Sequence, residues 1–363
     1  MNRIYKDLIP LDFGPAEDKH LEYVHPHAHV QKVKDTIYNP KSASKELLKP
    51  KTNSHRFQQD TYENSHTATS AYLAAGGTIE GVRAVVEGEV DSAFCIVRPP
   101  GHHASCSNIA GFCFFNNVAV AARYAQRELG LKRVCIFDWD VHVGDGTSYI
   151  FNEDETVLYM SIHRFDNGAF YPGPYGKHTK AGEGKGRGFN IHFPFNVEKS
   201  QRTVVGDADF IYACETIFFP VMKEFNPDLI LISAGFDSAQ GDPLGQIGVT
   251  PVGYSYMTQG FRALCPKIVV ALEGGYDLNA LEVSSEAVIQ TLRIHPMDSA
   301  GIEALLHTLG CEEGTTLEQL RIKSMLHPRE SFKQTASKVA KVLVKQWPFL
   351  ESLIVEKVRR RSS

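Results

Sequence analysis

Five apolar runs of strand length recur along the chain and alternate with segments of helical periodicity. The runs occupy 92–97, 133–141, 156–163, 228–236 and 267–275, and the helical segments fall at about 64–87, 115–129, 205–225, 251–264 and 280–294. Strands that are apolar almost throughout are buried on both faces, as in a parallel sheet covered by helices. The alternation therefore predicts one doubly wound α/β domain in which ligands bind at the carboxyl ends of the strands.

Composition fits a large globular domain and argues against several other classes of protein. Of the 363 residues, 43% are hydrophobic and 22% are charged, as in ordinary globular domains. The formal net charge of -4 gives no reason to expect direct nucleic-acid binding. Seven cysteines without a CxxC pair, no apolar h-region and no apolar stretch of membrane-spanning length predict a soluble intracellular protein without disulfides.

The segment VCIFDWDVHVGDGT concentrates polar residues at the end of an apolar run. If the strand continued through it, Asp138, Asp140 and His142 would all point to one face. Burying three such side chains is costly unless they bind a ligand. Asp237 ends a second run at the same sheet edge, although alone it would more often cap a helix. Together Asp140, His142 and Asp237 form a three-ligand set with one open position, which suits catalytic zinc.

Two more motifs follow apolar runs and offer acid–base and electrophilic groups. RPPGHHA places His102 and His103 side by side, where they could act as general base and acid. Asp138 and Asp145 are candidate carboxylates to orient the two imidazoles. ALEGGY carries Tyr276, whose phenol could donate to a developing oxyanion or pack as an ordinary aromatic side chain.

Six motifs, in this order, resemble the histone deacetylase family, most closely its class II branch. They are RPPGHHA, GFCFFNN, DWDVHVGDGT, SIHR, SAGFDSAQGDPLG and LEGGYDL, and the resemblance covers roughly residues 20–350. It implies a single-domain arginase-like α/β fold, followed by a basic tail at 351–363. It also implies hydrolysis of the acetyl amide of N6-acetyl-lysine in histones or in cytoplasmic proteins such as tubulin. The implied location is the nucleus or the cytoplasm, and the implied partners include co-repressor proteins.

The resemblance further implies a role for each matching residue. Asp140, His142 and Asp237 match the zinc ligands, and Tyr276 matches the donor that polarises the acetyl carbonyl. His103, paired with Asp145, matches the general base, and His102, paired with Asp138, matches its electrostatic partner. The residues that match the acetyl-lysine tunnel and its rim are Asp60, Gly111, Phe112, Tyr171 and Leu244. A structural potassium ion is implied at Asp138, Asp140, His142, Ser161 and Ile162.

Four features depart from the family pattern. Val143 stands where a second histidine usually follows the zinc-ligand histidine. Asp145 replaces the usual asparagine and is expected to make His103 more basic, and Tyr171 replaces phenylalanine. The family's first strand and its rim loop have no match before LEYVHPHAHV.

The residues leave three alternative functions open. An enzyme acting on small acetylated amines such as polyamines is disfavoured by Leu244, because the polyamine-selective relatives carry glutamate at that place. A weakly active acetyl-lysine-binding scaffold is motivated by Val143 and the unmatched rim. A di-manganese arginase-like hydrolase would need more ligands than His142 and Asp237 offer.

Several other motifs are predicted to have no part in the chemistry. His25, His27 and His29 of HPHAH are expected on a solvated surface, and Cys113 is expected to be a packing thiol. GEGKGRG lacks the GK[ST] of a phosphate loop, and VRRRSS is typical of a basic tail.

Overall fold

The computed structural model describes residues 8–37, 61, 63–197, 204–295 and 297–354. Within them, six parallel strands form one sheet in the order β1-β6-β5-β2-β3-β4. The strands are β1 (Ser92–Cys95), β2 (Val134–Asp138), β3 (Val157–Arg164), β4 (Asn190–Phe195), β5 (Leu229–Ala234) and β6 (Ile268–Leu272). All five predicted runs are strands, and the predicted parallel sheet is confirmed.

Helices cover both faces of the sheet. They are α1 (Asp18–Leu21), α2 (His27–Lys34), α3 (Thr67–Val86), α4 (Asn117–Arg127), α5 (Asp145–Ile150), α6 (Asp207–Ala213), α7 (Phe219–Phe225), α8 (Pro251–Leu264), α9 (Leu278–Arg293), α10 (Ser299–Thr308), α11 (Leu317–Leu326) and α12 (Glu330–Leu343). Strand β2 is therefore buried on both faces: Cys135 and Phe137 pack in one apolar core, and Val134 and Ile136 pack in the other. Burial on both faces explains why the strands lack polar alternation.

Strand β4 is the element that the sequence pattern did not predict. Its sequence, NIHFPF, is short and contains His192 and Pro194. Among the described strands it pairs only with β3, at the end of the sheet. A terminal strand accepts proline because one side of its backbone needs no ladder partner, so the usual strand-breaking signal was misleading here.

The strand-alternation argument for the polar triplet was wrong in its geometry. Strand β2 ends at Asp138, and Asp140 and His142 lie in the turn beyond it. The backbone leaves the sheet ladder there and bonds to its own side chains: Asp140 N donates to Asp138 Oδ1 (3.2 Å) and His142 N donates to Asp140 Oδ1 (2.9 Å). The turn, rather than strand alternation, brings these side chains into one place.

The prediction of a solvated HPHAH segment was wrong for two of its three histidines. His25 and His29 are buried, with stacked rings 4.7 Å apart, whereas His27 is exposed. His25 Nδ1 lies 3.0 Å from Cys106 O, and His25 Nε2 accepts from Asn116 N at 3.0 Å. His25 therefore ties the N-terminal segment to both ends of the loop that carries the GFCFFNN motif.

Candidate active site

Three ligand-type side chains converge at the carboxyl edge of the sheet. One ligand atom from each of Asp140, His142 and Asp237 lies within 4.8 Å of the other two, and all three side chains are buried. His142 Nδ1 lies 2.9 Å from Asp140 Oδ1 and 3.1 Å from Asp237 Oδ2. Strands β2 and β5 are neighbours in the sheet, so the segments that follow them meet although they are distant in sequence.

The cluster fits a divalent cation. Asp237 Oδ2 is buried and lacks a well-aligned hydrogen bond from the described residues, and its imidazole neighbour, His142 Nδ1, is shared with Asp140 Oδ1. Two buried carboxylates that share one imidazole are costly without a cation. Glycines give the carboxylates room, since a Cβ at Gly235 would lie 2.0 Å from Asp140 Oδ2 and one at Gly274 would lie 2.7 Å from Asp237 Oδ2. Two carboxylates and one imidazole form a donor set that suits zinc.

The tandem histidines lie beside this cluster, each against its own carboxylate. His102 Nδ1 lies 3.0 Å from Asp138 Oδ2, and His103 Nδ1 lies 2.7 Å from Asp145 Oδ1. Because an ionised carboxylate only accepts, each Nδ1 carries the proton. The ring centroids of His102 and His103 are 4.0 Å apart, and that of His103 lies 5.8 Å from that of His142.

The two imidazoles differ in basicity. Burial disfavours the charged form of both, but the carboxylates of Asp140 and Asp138 outweigh it at His102 and hold its pKa well above the usual range. Burial and then the neighbouring His102 lower the pKa of His103 to about 4. The Asp145 carboxylate raises the pKa of His103, as expected, but burial and His102 together lower that pKa by more.

Glu273 is a buried member of the site that the sequence analysis did not single out. Its Oε2 accepts from Gly101 N (2.6 Å) and His102 N (3.1 Å), and its Oε1 accepts from Ser233 Oγ (2.9 Å). Glu273 thus fixes the backbone of the histidine loop to two strand ends. A glutamate closing an apolar strand needs such donors to be buried, and that signal was present in LEGGY.

Tyr159 supports the Asp138 carboxylate from within strand β3. Its hydroxyl donates to Asp138 Oδ2 (3.0 Å) and accepts from Gly144 N (2.9 Å). The side chain is fully buried. Its position inside an apolar run gave no signal in the sequence, because a tyrosine there is also an ordinary core residue.

The residues predicted to form the substrate mouth include Gly111 and Tyr171 beside His103, and Phe112 beside Tyr276. The Tyr171 ring centroid lies 5.0 Å from that of His103, and the Phe112 ring centroid lies 6.3 Å from that of Tyr276. Phe112, Tyr276 and Leu244 remain 37%, 40% and 45% exposed. Gly111 has a φ of +53°, and a Cβ there would lie 2.3 Å from His103 Cδ2, so this backbone approach requires glycine.

The remaining predicted rim and ion residues are placed as follows. Asp60 lies outside the described residues; Thr61, next to it, accepts from Phe112 N at 2.9 Å through Oγ1. Cys113 is buried and its thiol donates to Gly111 O at 3.2 Å, consistent with a packing role. Ser161 and Ile162, predicted to hold potassium, are buried on β3, where Ser161 pairs with Asp138 of β2. The potassium site itself stays a prediction.

Comparison with known proteins identifies the family. The sequence-family model of the histone deacetylase domain matches residues 2–292. The chain belongs to the histone deacetylase family. Histone deacetylase 18 of Arabidopsis thaliana is 41% identical over 349 residues, which is 95% of this chain and 46% of that protein. Histone deacetylase HDA1 of Saccharomyces cerevisiae is 42% identical over 297 residues, which is 80% of this chain and 40% of that protein.

A solved deacetylase structure has the same fold. The crystal structure of the HDA15 HD domain superposes with a TM-score of 0.77 at 37% identity, covering 97% of this chain and 85% of that chain. The predicted arginase-like deacetylase fold is therefore confirmed. The chain spans less than half the length of the curated histone deacetylases named above. No helix among the described residues is both long and apolar enough to cross a membrane.

Proposed function

We propose that this histone deacetylase family member is a zinc-dependent hydrolase that removes the acetyl group from N6-acetyl-lysine in proteins. The observation that carries the proposal is the buried Asp140–His142–Asp237 cluster beneath the His102–His103 pair. Three ligand-type side chains next to two acid–base groups form an arrangement that metal-assisted amide hydrolysis needs.

A bound zinc ion would polarise the acetyl carbonyl and lower the pKa of an attacking water. Asp140, His142 and Asp237 would hold it, and their burial excludes competing solvent. Gly274 N donates to Asp140 Oδ2 (3.0 Å) and Val141 N donates to Asp237 Oδ1 (2.8 Å), so backbone donors orient both carboxylates. Such outer partners keep ligands in place.

His103 is the proposed general base. Its Nδ1–H is committed to Asp145, which leaves Nε2 to accept the proton from water as the water oxygen attacks the carbonyl carbon. The lowered pKa keeps this imidazole neutral before the reaction. The proton then passes to the lysine nitrogen as the C–N bond breaks, giving acetate and the free amine. His102, charged and held between carboxylates, acts as the electrostatic partner.

Tyr276 is the proposed donor to the oxyanion. Tyr276 is partly buried, and this partial burial and then the Asp140 and Asp237 carboxylates raise the pKa of its phenol, so the hydroxyl stays protonated. Asp242 accepts from Tyr276 N at 2.7 Å and thereby fixes the backbone that carries the ring. A preorganised O–H donor stabilises charge that develops only in the transition state.

Protein lysines are the proposed substrate because the mouth has aromatic walls and carries an uncharged side chain at Leu244. Phe112 and Tyr171 would flank the four methylenes of the side chain, and a charged ammonium would be desolvated at the bottom. Leu244 presents no carboxylate to a polycation. The same proposal includes a catalytic domain at 20–350 and a bound potassium ion. It also includes histone tails or cytoplasmic proteins as substrates, co-repressor proteins as partners, and a nuclear or cytoplasmic location.

The deciding experiment measures metal content and peptide turnover on one preparation. Purified protein should contain about one zinc per chain and deacetylate an acetyl-lysine peptide, and a chelator should abolish turnover until zinc is restored. Acetylspermidine, assayed in parallel, should be the poorer substrate. Zinc bound without hydrolysis of any acyl-lysine peptide would instead indicate an acetyl-lysine-binding scaffold, and preference for acetylspermidine would indicate a polyamine deacetylase.

A further inference from the structure

Two segments of the described chain carry a concentrated positive charge. The loop 174–188 and the segment 330–346, which contains α12, together hold eight lysines and arginines and two glutamates, a formal net charge of +6. The whole chain has a net charge of -4. Seven of the eight cations are exposed and define the basic face: Lys177, Lys180, Lys185, Arg187, Lys338, Lys341 and Lys345.

Tertiary contacts bring the two segments together along β4. Thr335 Oγ1 donates to Pro194 O (3.4 Å) near the carboxyl end of β4, and Trp347 Nε1 donates to Gly188 O (2.9 Å) just before its start. Helix α12 therefore runs antiparallel to β4, beside the loop. His178 lies between the two segments, since burial and then the charges of Lys338 on α12 and Lys177 on the loop lower its pKa.

Among the residues that the structure describes, no ion pair neutralises the charges of the basic face. None of its seven cations forms an ion pair with a described residue, whereas Arg83, Arg123 and Arg164 elsewhere do. Glu183 and Glu330 lie on the same two segments, and Glu153 lies beside the loop at Gly186, so carboxylates flank the face without pairing with its cations. Uncompensated like charges on one surface repel one another, and a polyanion relieves that repulsion.

The basic face begins close to the catalytic mouth. Gly176 O lies 2.7 Å from His163 Nε2, and a Cβ at Gly176 would lie 3.1 Å from Val143 Cγ1, next to the ligand His142. Lys177 follows directly. On α12, Lys338 and Lys341 are about one helical turn apart, about 5 Å along the axis, and Lys345 lies in the turn that follows the helix. The charges thus extend from the mouth along the side of the molecule.

We propose that the basic face binds the phosphate backbone of duplex DNA. Lysine and arginine side chains spread over an exposed surface neutralise the closely spaced phosphates of a duplex without reading bases. The binding does not depend on the proposed deacetylase activity; if both hold, the face would keep the mouth near lysines presented beside DNA. The net charge alone predicts no such contact, because it averages over the surface.

The test is fluorescence anisotropy of the full chain with a labelled duplex of about 30 base pairs of arbitrary sequence, between about 50 and 200 mM salt. Two charge-reversal variants probe the face, and a third with the same change in net charge is the control. They are Lys338→Glu/Lys341→Glu/Lys345→Glu, Lys177→Glu/Lys180→Glu/Arg187→Glu and, at exposed positions on other helices, Lys19→Glu/Lys32→Glu/Lys323→Glu.

Each variant of the face should bind duplex DNA at least about tenfold more weakly than the control and should lower the slope of log K against log salt by about three. Turnover of a free acetyl-lysine peptide should be the same in all four proteins, which also shows that the variants fold. Equal DNA binding by the control and both variants of the face would overturn the proposal, as would binding of an acidic peptide in preference to DNA. Neither result would bear on the deacetylase proposal.

Discussion

The buried centre and the exposed mouth of this site are built in different ways. In the centre, Asp138, Asp140 and His102 are almost inaccessible and each has two or more partners among buried neighbours. At the mouth, Phe112 and Leu244 are more than one third exposed. Side chains held by several buried partners cannot be changed singly without leaving another group unsatisfied. The centre should therefore govern whether reaction occurs, and the mouth should govern which substrate reacts.

The largest effect is expected from Asp237→Asn in the centre. The change removes one carboxylate from the proposed ligand set. Loss of a residue that only hydrogen-bonds to a metal ligand typically costs about 10–100-fold in metal affinity, so loss of a ligand should cost more. Zinc content should fall well below one per chain and peptide turnover should fall to background. Elemental analysis and a peptide assay check this, with the exposed Asp91→Asn as the matched control. Full zinc occupancy in Asp237→Asn would mean that the cluster is not the metal site.

A smaller loss, about 10²–10³-fold in turnover, is expected from Tyr276→Phe at the boundary between the two regions. The ring and its packing on Phe112 remain, so only the proposed oxyanion donor is lost. Zinc content and KM should stay near those of the wild type, as measured by elemental analysis and steady-state kinetics. Tyr175→Phe, at an exposed tyrosine outside the site, is the control. Unchanged turnover would remove Tyr276 from the mechanism.

Glu273→Gln should reduce turnover by about tenfold, because the amide can no longer accept all three hydrogen bonds and a charged hydrogen bond contributes about 1.5–3 kcal/mol. The histidine loop would lose part of its anchor while the ligands remain. We expect kcat to fall with little change in zinc content or KM. A proportional rise in KM with constant kcat would place Glu273 in substrate binding instead.

The smallest effect is expected from Leu244→Glu at the mouth. A half-exposed carboxylate is screened and contributes at most about 1 kcal/mol, which corresponds to about fivefold in selectivity. The ratio of kcat/KM for acetylspermidine to that for an acetyl-lysine peptide should rise by that factor, while Leu244→Gln, of similar size and uncharged, should leave it unchanged. Equal ratios in the two variants would exclude Leu244 as a determinant of selectivity.

Sequence reasoning succeeded where the signal is local. The five apolar runs became strands because burial on both faces selects apolar residues at every position, and Pro251–Leu264 was predicted with its observed bounds. It failed at β4, where His192 and Pro194 interrupt a terminal strand, and at His25 and His29, which are buried by helices packing from other parts of the chain. Burial of a polar side chain depends on what covers it, and a short motif does not contain that information.

The sequence by itself determined the layered α/β architecture and placed carboxylate and imidazole side chains at the strand ends, because both follow from local composition and periodicity. The tertiary structure decided which of these groups meet. Val141 and Asp237 are 96 positions apart, and Gly101 and Glu273 are 172 apart, yet both pairs are hydrogen-bonded. The sheet order β1-β6-β5-β2 makes their strands neighbours. That order is set by packing over the whole domain, so no local pattern encodes it.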